Sequence, residues 1–190
     1  MRSFSSTLSI TLLLMVPFAA TAAGSRFKVT SSDFANGATI PMAQVFNSFG
    51  CTGDDQSPAL RWTGEPAGTK SFAVTIYDPN APTGSGWWHW IVFNIPANVH
   101  SLPPNAGAAN STTLPAGAVQ GRSDFGFSNY GGPCPPVGDK PHHYQITVYA
   151  LKVDKLPLDS SASGAMVGYY LHFNTITKAR MTGRYGRPKK

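Results

Sequence analysis

Ser71-Phe72-Ala73-Val74-Thr75-Ile76-Tyr77 decides the fold, because large apolar residues alternate there with small or polar ones, the period-two signature of a strand with a face in a core. Further on, Trp90-Ile91-Val92-Phe93-Asn94-Ile95 is a β-branched and aromatic run stopped by Pro96, and Tyr144-Gln145-Ile146-Thr147-Val148-Tyr149-Ala150-Leu151 alternates again. These stretches predict core strands. Arg26 to Ser31 and Arg61-Trp62-Thr63, bounded by Gly and Pro, are shorter candidates.

Composition points the same way. The 19 Gly and 16 Pro of this 190-residue chain favour turns over helices. Residues 97–121, mostly Ala, Gly, Asn, Pro, Ser and Thr, read as a long surface excursion that holds a short strand or two at most. A helix is expected from about Ala162 to Phe173, capped by Ser160 or Ser161 and burying Ala165, Met166, Tyr169, Leu171 and Phe173. A weaker helical turn is expected at Thr175 to Met181. The implied architecture is mainly β, a sandwich of two antiparallel sheets with short C-terminal helices on one edge.

Residues 1–22 stand apart from that domain. Met1-Arg2 gives a positive start, Leu8 to Phe18 is an apolar run, and Ala20-Thr21-Ala22 offers small residues around a cleavage point, which together read as a secretory signal peptide. The run is too short for a transmembrane segment. Residues 23–190 then form a single domain, periplasmic or secreted. Lys and Arg number 15 against 9 acids, a formal charge of +6, and the excess gathers at Lys178, Arg180, Arg184, Arg187, Lys189 and Lys190. No helix-turn-helix, zinc finger or aromatic RNA platform accompanies that basic end, so nucleic acid is not an expected partner. In an oxidising compartment Cys51 and Cys134 are expected to form a disulfide, the alternative being two separate buried thiols.

Three stretches hold most of the polar groups able to form one site. Asp78-Pro79-Asn80-Ala81-Pro82 follows the first core strand, and its prolines lock a turn that fixes where the carboxylate points. The same Asp could simply start the turn by accepting from nearby amides. In Gly86-Trp87-Trp88-His89-Trp90, regular alternation puts Trp88 and Trp90 on one face, Trp87 and His89 on the other. His89 alone would be an ordinary structural histidine. His142 and Tyr144 share a face, with His143 opposite, and the stiff loop Pro135-Pro136-Val137-Gly138 precedes them. One acid, two imidazoles and a phenol among prolines and indoles predict a small pocket with a polar floor and apolar walls.

These stretches, with Ser57-Pro58-Ala59-Leu60-Arg61-Trp62, resemble the phosphatidylethanolamine-binding proteins, over about Phe27 to Tyr185. The likeness is strongest to the bacterial YbhB/YbcL-type Raf kinase inhibitor-like members, and to the exported YbcL branch. The resemblance implies a β-sandwich with a pocket for a small phosphate-type anion or phospholipid head group, lined by Asp78, Pro79, His89, Pro136, His142 and Tyr144. It implies no cofactor. Departures are Trp88 where eukaryotic members often have a second histidine, Asn80 for Asp, Val137 for lysine and His143 for arginine. They leave recognition to imidazoles, phenol and backbone N–H groups.

The expected mechanism is binding without bond-breaking. Tyr144 and one or both imidazoles donate to the anion, Asp78 orients a histidine, and affinity rises as pH falls through the histidine range. Three alternatives stand beside it. A two-histidine, one-carboxylate metal set could form from Asp78, His89 and His142. A weak hydrolase could use His and Asp as acid and base, although no Gly-x-Ser-x-Gly elbow is present. A protein partner, with the chain acting as an inhibitor module on kinases or proteases, rests on analogy with the family.

Overall fold

The computed structural model describes Met1 and residues 26–189, so the expected signal segment 1–22 lies outside the described residues, Met1 apart. Eight strands and a helix follow in chain order: β1 Lys28–Thr30, β2 Leu60–Thr63, β3 Ser71–Asp78, β4 Trp87–Pro96, β5 Ser101–Leu102, β6 Val119–Gln120, β7 His142–Leu151, α1 Gly164–Asn174 and β8 Thr175–Tyr185. They build two antiparallel sheets, a small one in the order β1-β2-β5 and a larger one in the order β6-β4-β3-β7-β8. The long excursion contributes only β5 and β6, each of two residues.

The main core lies between the sheets. Trp62, Phe72, Val74, Trp90, Val92 and Val148 are all fully enclosed there, each burial stabilising by roughly 1.5–3 kcal/mol. A second core forms on the outer face of the large sheet, where Val167 and Leu171 of α1 cover Ala73, Ile91, Phe93 and Leu151. Gly164 lets α1 begin there, since a Cβ on it would lie 2.4 Å from the Trp88 ring.

Several local expectations change. The helix is capped by Ser163, whose hydroxyl accepts from Met166 N, rather than by Ser160 or Ser161. Its buried stripe is Gly164, Val167 and Leu171, while Met166, Tyr169 and Phe173 are exposed. The expected turn at Thr175 to Met181 is instead the start of β8, paired along β7 from Thr175 to Tyr185. Cross-strand pairing overrides the local preference there, because Ala179 and Met181 fill the sandwich while Lys178 and Arg180 face water.

Alternation along β4 also fails at two points, one between Val92 and Ile95, where Asn94 has a positive φ of 58°, and one at His89. Ile76 pairs with Trp90 and Tyr77 with Trp88, so His89 is an extra residue, a β-bulge. Trp88 consequently faces α1, and Trp90 faces the sandwich core together with His89. The expectation that Trp88 and Trp90 share a face is overturned by this one inserted residue.

Candidate functional site

Asp78 ends β3 and His142 begins β7, and the antiparallel pairing of these strands brings the two together. The Asp78 Oδ2 accepts from His142 Nδ1 at 2.7 Å, and Oδ1 accepts from the Asn80 amide at 2.8 Å. One carboxylate thus does both jobs foreseen for it, starting the turn and orienting an imidazole. Both side chains are buried. The His142 Nε2 lies 3.5 Å from Asp139 Oδ2, too far for a good hydrogen bond.

The bulge aims His89 at the same place. Its ring lies 5.1 Å from that of Tyr144, and its Nδ1 faces the Gly131 carbonyl at 2.7 Å. A carbonyl only accepts, so Nδ1 carries the proton. Burial pushes the His89 pKa down to about 4, outweighing the Gly131 bond and the Asp78 charge that raise it. The neutral ring therefore offers Nε2 as a lone-pair acceptor. Of the one or both imidazoles expected to donate, His89 is therefore not one.

Tyr144 is 1 % exposed, and its hydroxyl has no hydrogen-bond partner. Burial first, then the Asp78 charge, raises its pKa beyond the usual phenol range, so it remains a neutral donor. Asp78 also approaches the phenol, but no hydrogen bond of regular geometry joins them. The Trp87 indole N–H is buried and unpartnered as well.

These groups line a cleft of about 150 Å³ with Phe125, Ala81, Pro82 and the Cys134-Pro135-Pro136 loop. Pro79 is exposed and does not line it; its part is to bend the turn. Among the described residues no set of His, Cys, Asp and Glu is arranged to hold a metal ion, so Asp78, His89 and His142 do not form the two-histidine, one-carboxylate set.

The loop that walls the cleft is pinned at several points. Gly131 N donates to the His89 carbonyl, Phe46 N to Pro133 O, and Gly132 N to Asp55 Oδ1 at 2.7 Å. A Cβ on Gly132 would stand 2.2 Å from the Gln44 carbonyl oxygen, so the loop sits this close only because that residue is glycine. Partial burial raises the Asp55 pKa to about 6 even though the Gly132 amide opposes it. Cys51 and Cys134 are bridged, which fastens this loop to the one carrying Phe49.

Trp87, Phe125 and Phe49 are cleft residues to which the sequence reading assigned no role. Alternation did place Trp87 beside His89. Phe125 touches Trp87, His89 and Phe46, with ring centroids 5.2, 5.4 and 4.6 Å apart. The only signal for it is an aromatic pair in a Gly- and Ser-rich loop, Phe125-Gly126-Phe127. Asn80, noted as a departure, accepts from the His143 amide at 2.9 Å and so ties the Asp78 turn to β7.

A family model described as phosphatidylethanolamine-binding protein matches residues 30–186. The chain is 57 % identical to the Escherichia coli protein YbcL over 175 residues, covering 92 % of this chain and 94 % of that one. It is 47 % identical to Escherichia coli YbhB over 158 residues, covering 83 % and 99 %. The crystal structure of Escherichia coli YbcL superposes with a TM-score of 0.83 at 58 % identity, covering 84 % of this chain and 98 % of that one. From residue 30 to residue 186, through the whole sandwich and the cleft at its end, this chain belongs to the phosphatidylethanolamine-binding protein family.

Proposed function

We propose that the protein is a binder of small phosphate-type anions, free or as a phospholipid head group, and that it acts without breaking bonds. The observation that carries this reading is the pair of unpartnered buried donors, Tyr144 Oη and Trp87 Nε1, on two side chains that line one small cleft. Buried donors without acceptors cost roughly 1–3 kcal/mol each, and an oxyanion seated between them removes that cost. His89 Nε2 adds an acceptor, so the best-matched ligand carries one proton of its own, as a phosphate monoester monoanion does.

Recognition without catalysis is supported by the lining residues. Cys134 is bridged, and Thr83 Oγ1 donates to the Gly86 carbonyl rather than to an imidazole, so neither is an activated nucleophile. The Cys51–Cys134 bridge supports an extracytoplasmic setting, periplasmic or secreted, and the role we assign to the protein there is regulatory, through ligand capture.

Tyr144→Phe separates stability from binding. Removing an unsatisfied hydroxyl is expected to stabilise the free protein by about 1 kcal/mol, while affinity for inorganic phosphate falls roughly 10- to 100-fold. Chemical denaturation and titration calorimetry read the two effects, and unchanged phosphate affinity sinks the proposal. Affinity for methyl phosphate should rise as pH falls through about 6, where the ligand gains its proton. Dimethyl phosphate, which has no such proton, should give a flat profile over the same range. A flat profile for both ligands removes His89 as the acceptor.

A further inference from the structure

α1 contains no Asp, Glu, Lys or Arg, and its exposed stripe is Met166, Tyr169 and Phe173. These are 48, 61 and 57 % exposed, and Ile176 just beyond is 40 % exposed. Such residues on an outer helix face are usually mixed with charges. Tyr169 packs against both Tyr170 and Phe173, with ring centroids 5.8 and 5.0 Å apart, so the stripe is a contiguous aromatic ridge.

Beside that ridge runs a row of cations. On the outer face of β8, Lys178, Arg180 and Arg184 stand opposite Tyr149, Thr147 and His143 of β7. All three cations are exposed. The ion pairs among the described residues use Lys70, His100 and His142, so none neutralises this row. α1 runs directly into β8, so Phe173 at the end of the ridge is followed by Ile176 and then Lys178, the first cation of the row, and a groove lined by Leu171, His172, Ile176 and Lys178 lies at that junction. At about 3.3 Å per residue, Ile176 to Arg184 spans roughly 27 Å, a length that suits a broad, gently curved contact.

We propose that this outer face, from α1 across to β8, docks on a phospholipid bilayer bearing anionic head groups. The ridge enters the interfacial layer, where aromatic and apolar side chains leave water, and the row meets lipid phosphates. A soluble polyanion would satisfy the cations and leave the uncharged ridge wet, whereas a bilayer surface accommodates both. This face lies apart from the cleft and does not depend on what the cleft holds.

The test is co-sedimentation of the full chain with vesicles of phosphatidylcholine, with and without about one-third phosphatidylglycerol. Wild type should bind the anionic vesicles and release as salt rises. Lys178→Gln with Arg184→Gln should weaken binding about 25-fold, about five-fold per cation lost. Tyr169→Ser with Phe173→Ser should weaken it while leaving the salt dependence in place. Circular dichroism checks that these exposed changes keep the fold. No binding to anionic vesicles, or equal binding by wild type and both variants, overturns the proposal. Capture of heparin that needs the cations and ignores the ridge, without vesicle binding, also overturns it and assigns the face to a soluble polyanion. Loss of vesicle binding in Tyr144→Phe overturns it too, by putting the lipid in the cleft.

Discussion

Asp78→Ala is expected to lower stability by about 3–5 kcal/mol and to abolish phosphate binding. The carboxylate is 2 % exposed and accepts two hydrogen bonds, from His142 Nδ1 and from Asn80 N. Removing it leaves a buried imidazole N–H and a turn amide without acceptors, and it opens the joint between β3 and β7 at the cleft floor. Asp78→Asn is the informative companion. Its Oδ1 can still accept from Asn80, but its NH2 group meets the protonated Nδ1 of His142. That contact drives the ring toward the other tautomer and changes what Nε2 presents to the cleft. Stability should return in part, and phosphate binding with it, because Nε2 then donates to the anion and the carboxylate charge on the cleft floor is gone. Urea denaturation followed by phosphate calorimetry on both variants separates the effects. A loss under about 1 kcal/mol in Asp78→Ala would mean the pair is incidental.

The contrast between what the sequence discloses and what it hides follows from the range of the forces involved. β3 and β7 are legible because their alternation is local and their partners bury a whole face, so Phe72, Val74, Ile146 and Val148 announce themselves. The same logic places His142 and Tyr144 together and His143 outside. The bulge at His89 is not legible, since it is a property of the pairing between β3 and β4 and neither strand alone records it. β8 alternates only weakly: Ala179, Met181 and Gly183 are its buried residues, and of these alanine and methionine are at home in helices while glycine carries no apolar side chain. In α1, apolar residues occur around the whole circumference, so pattern alone could not choose Val167 and Leu171 over Met166 and Tyr169. Phe125 reaches the cleft through a loop, where no periodicity exists to point it.

Loss of the Cys51–Cys134 bridge should have the second large effect, and its two consequences should separate. The cysteines are 83 residues apart in sequence. Chain entropy for a loop of that length corresponds to about 4.5 kcal/mol. For a domain of this size that is a drop in melting temperature on the order of 10–15 °C. The cleft should nonetheless survive at low temperature, because Arg187 ties the same two loops independently. Its guanidinium donates to the Gly50 carbonyl at 2.8 Å on one side and to the Pro135 carbonyl at 3.3 Å on the other. Cys51→Ser with Cys134→Ser is therefore expected to hold phosphate within about three-fold of wild type. Arg187→Ala alone should change affinity equally little while the bridge stands. Combined, the three substitutions leave the Phe49 loop and the Pro135-Pro136 loop unfastened, and affinity should fall more than about ten-fold, a non-additive result. Additive effects on affinity would show that the loops are held by something other than these two ties, such as the Phe46, Phe49 and Phe125 ring contacts.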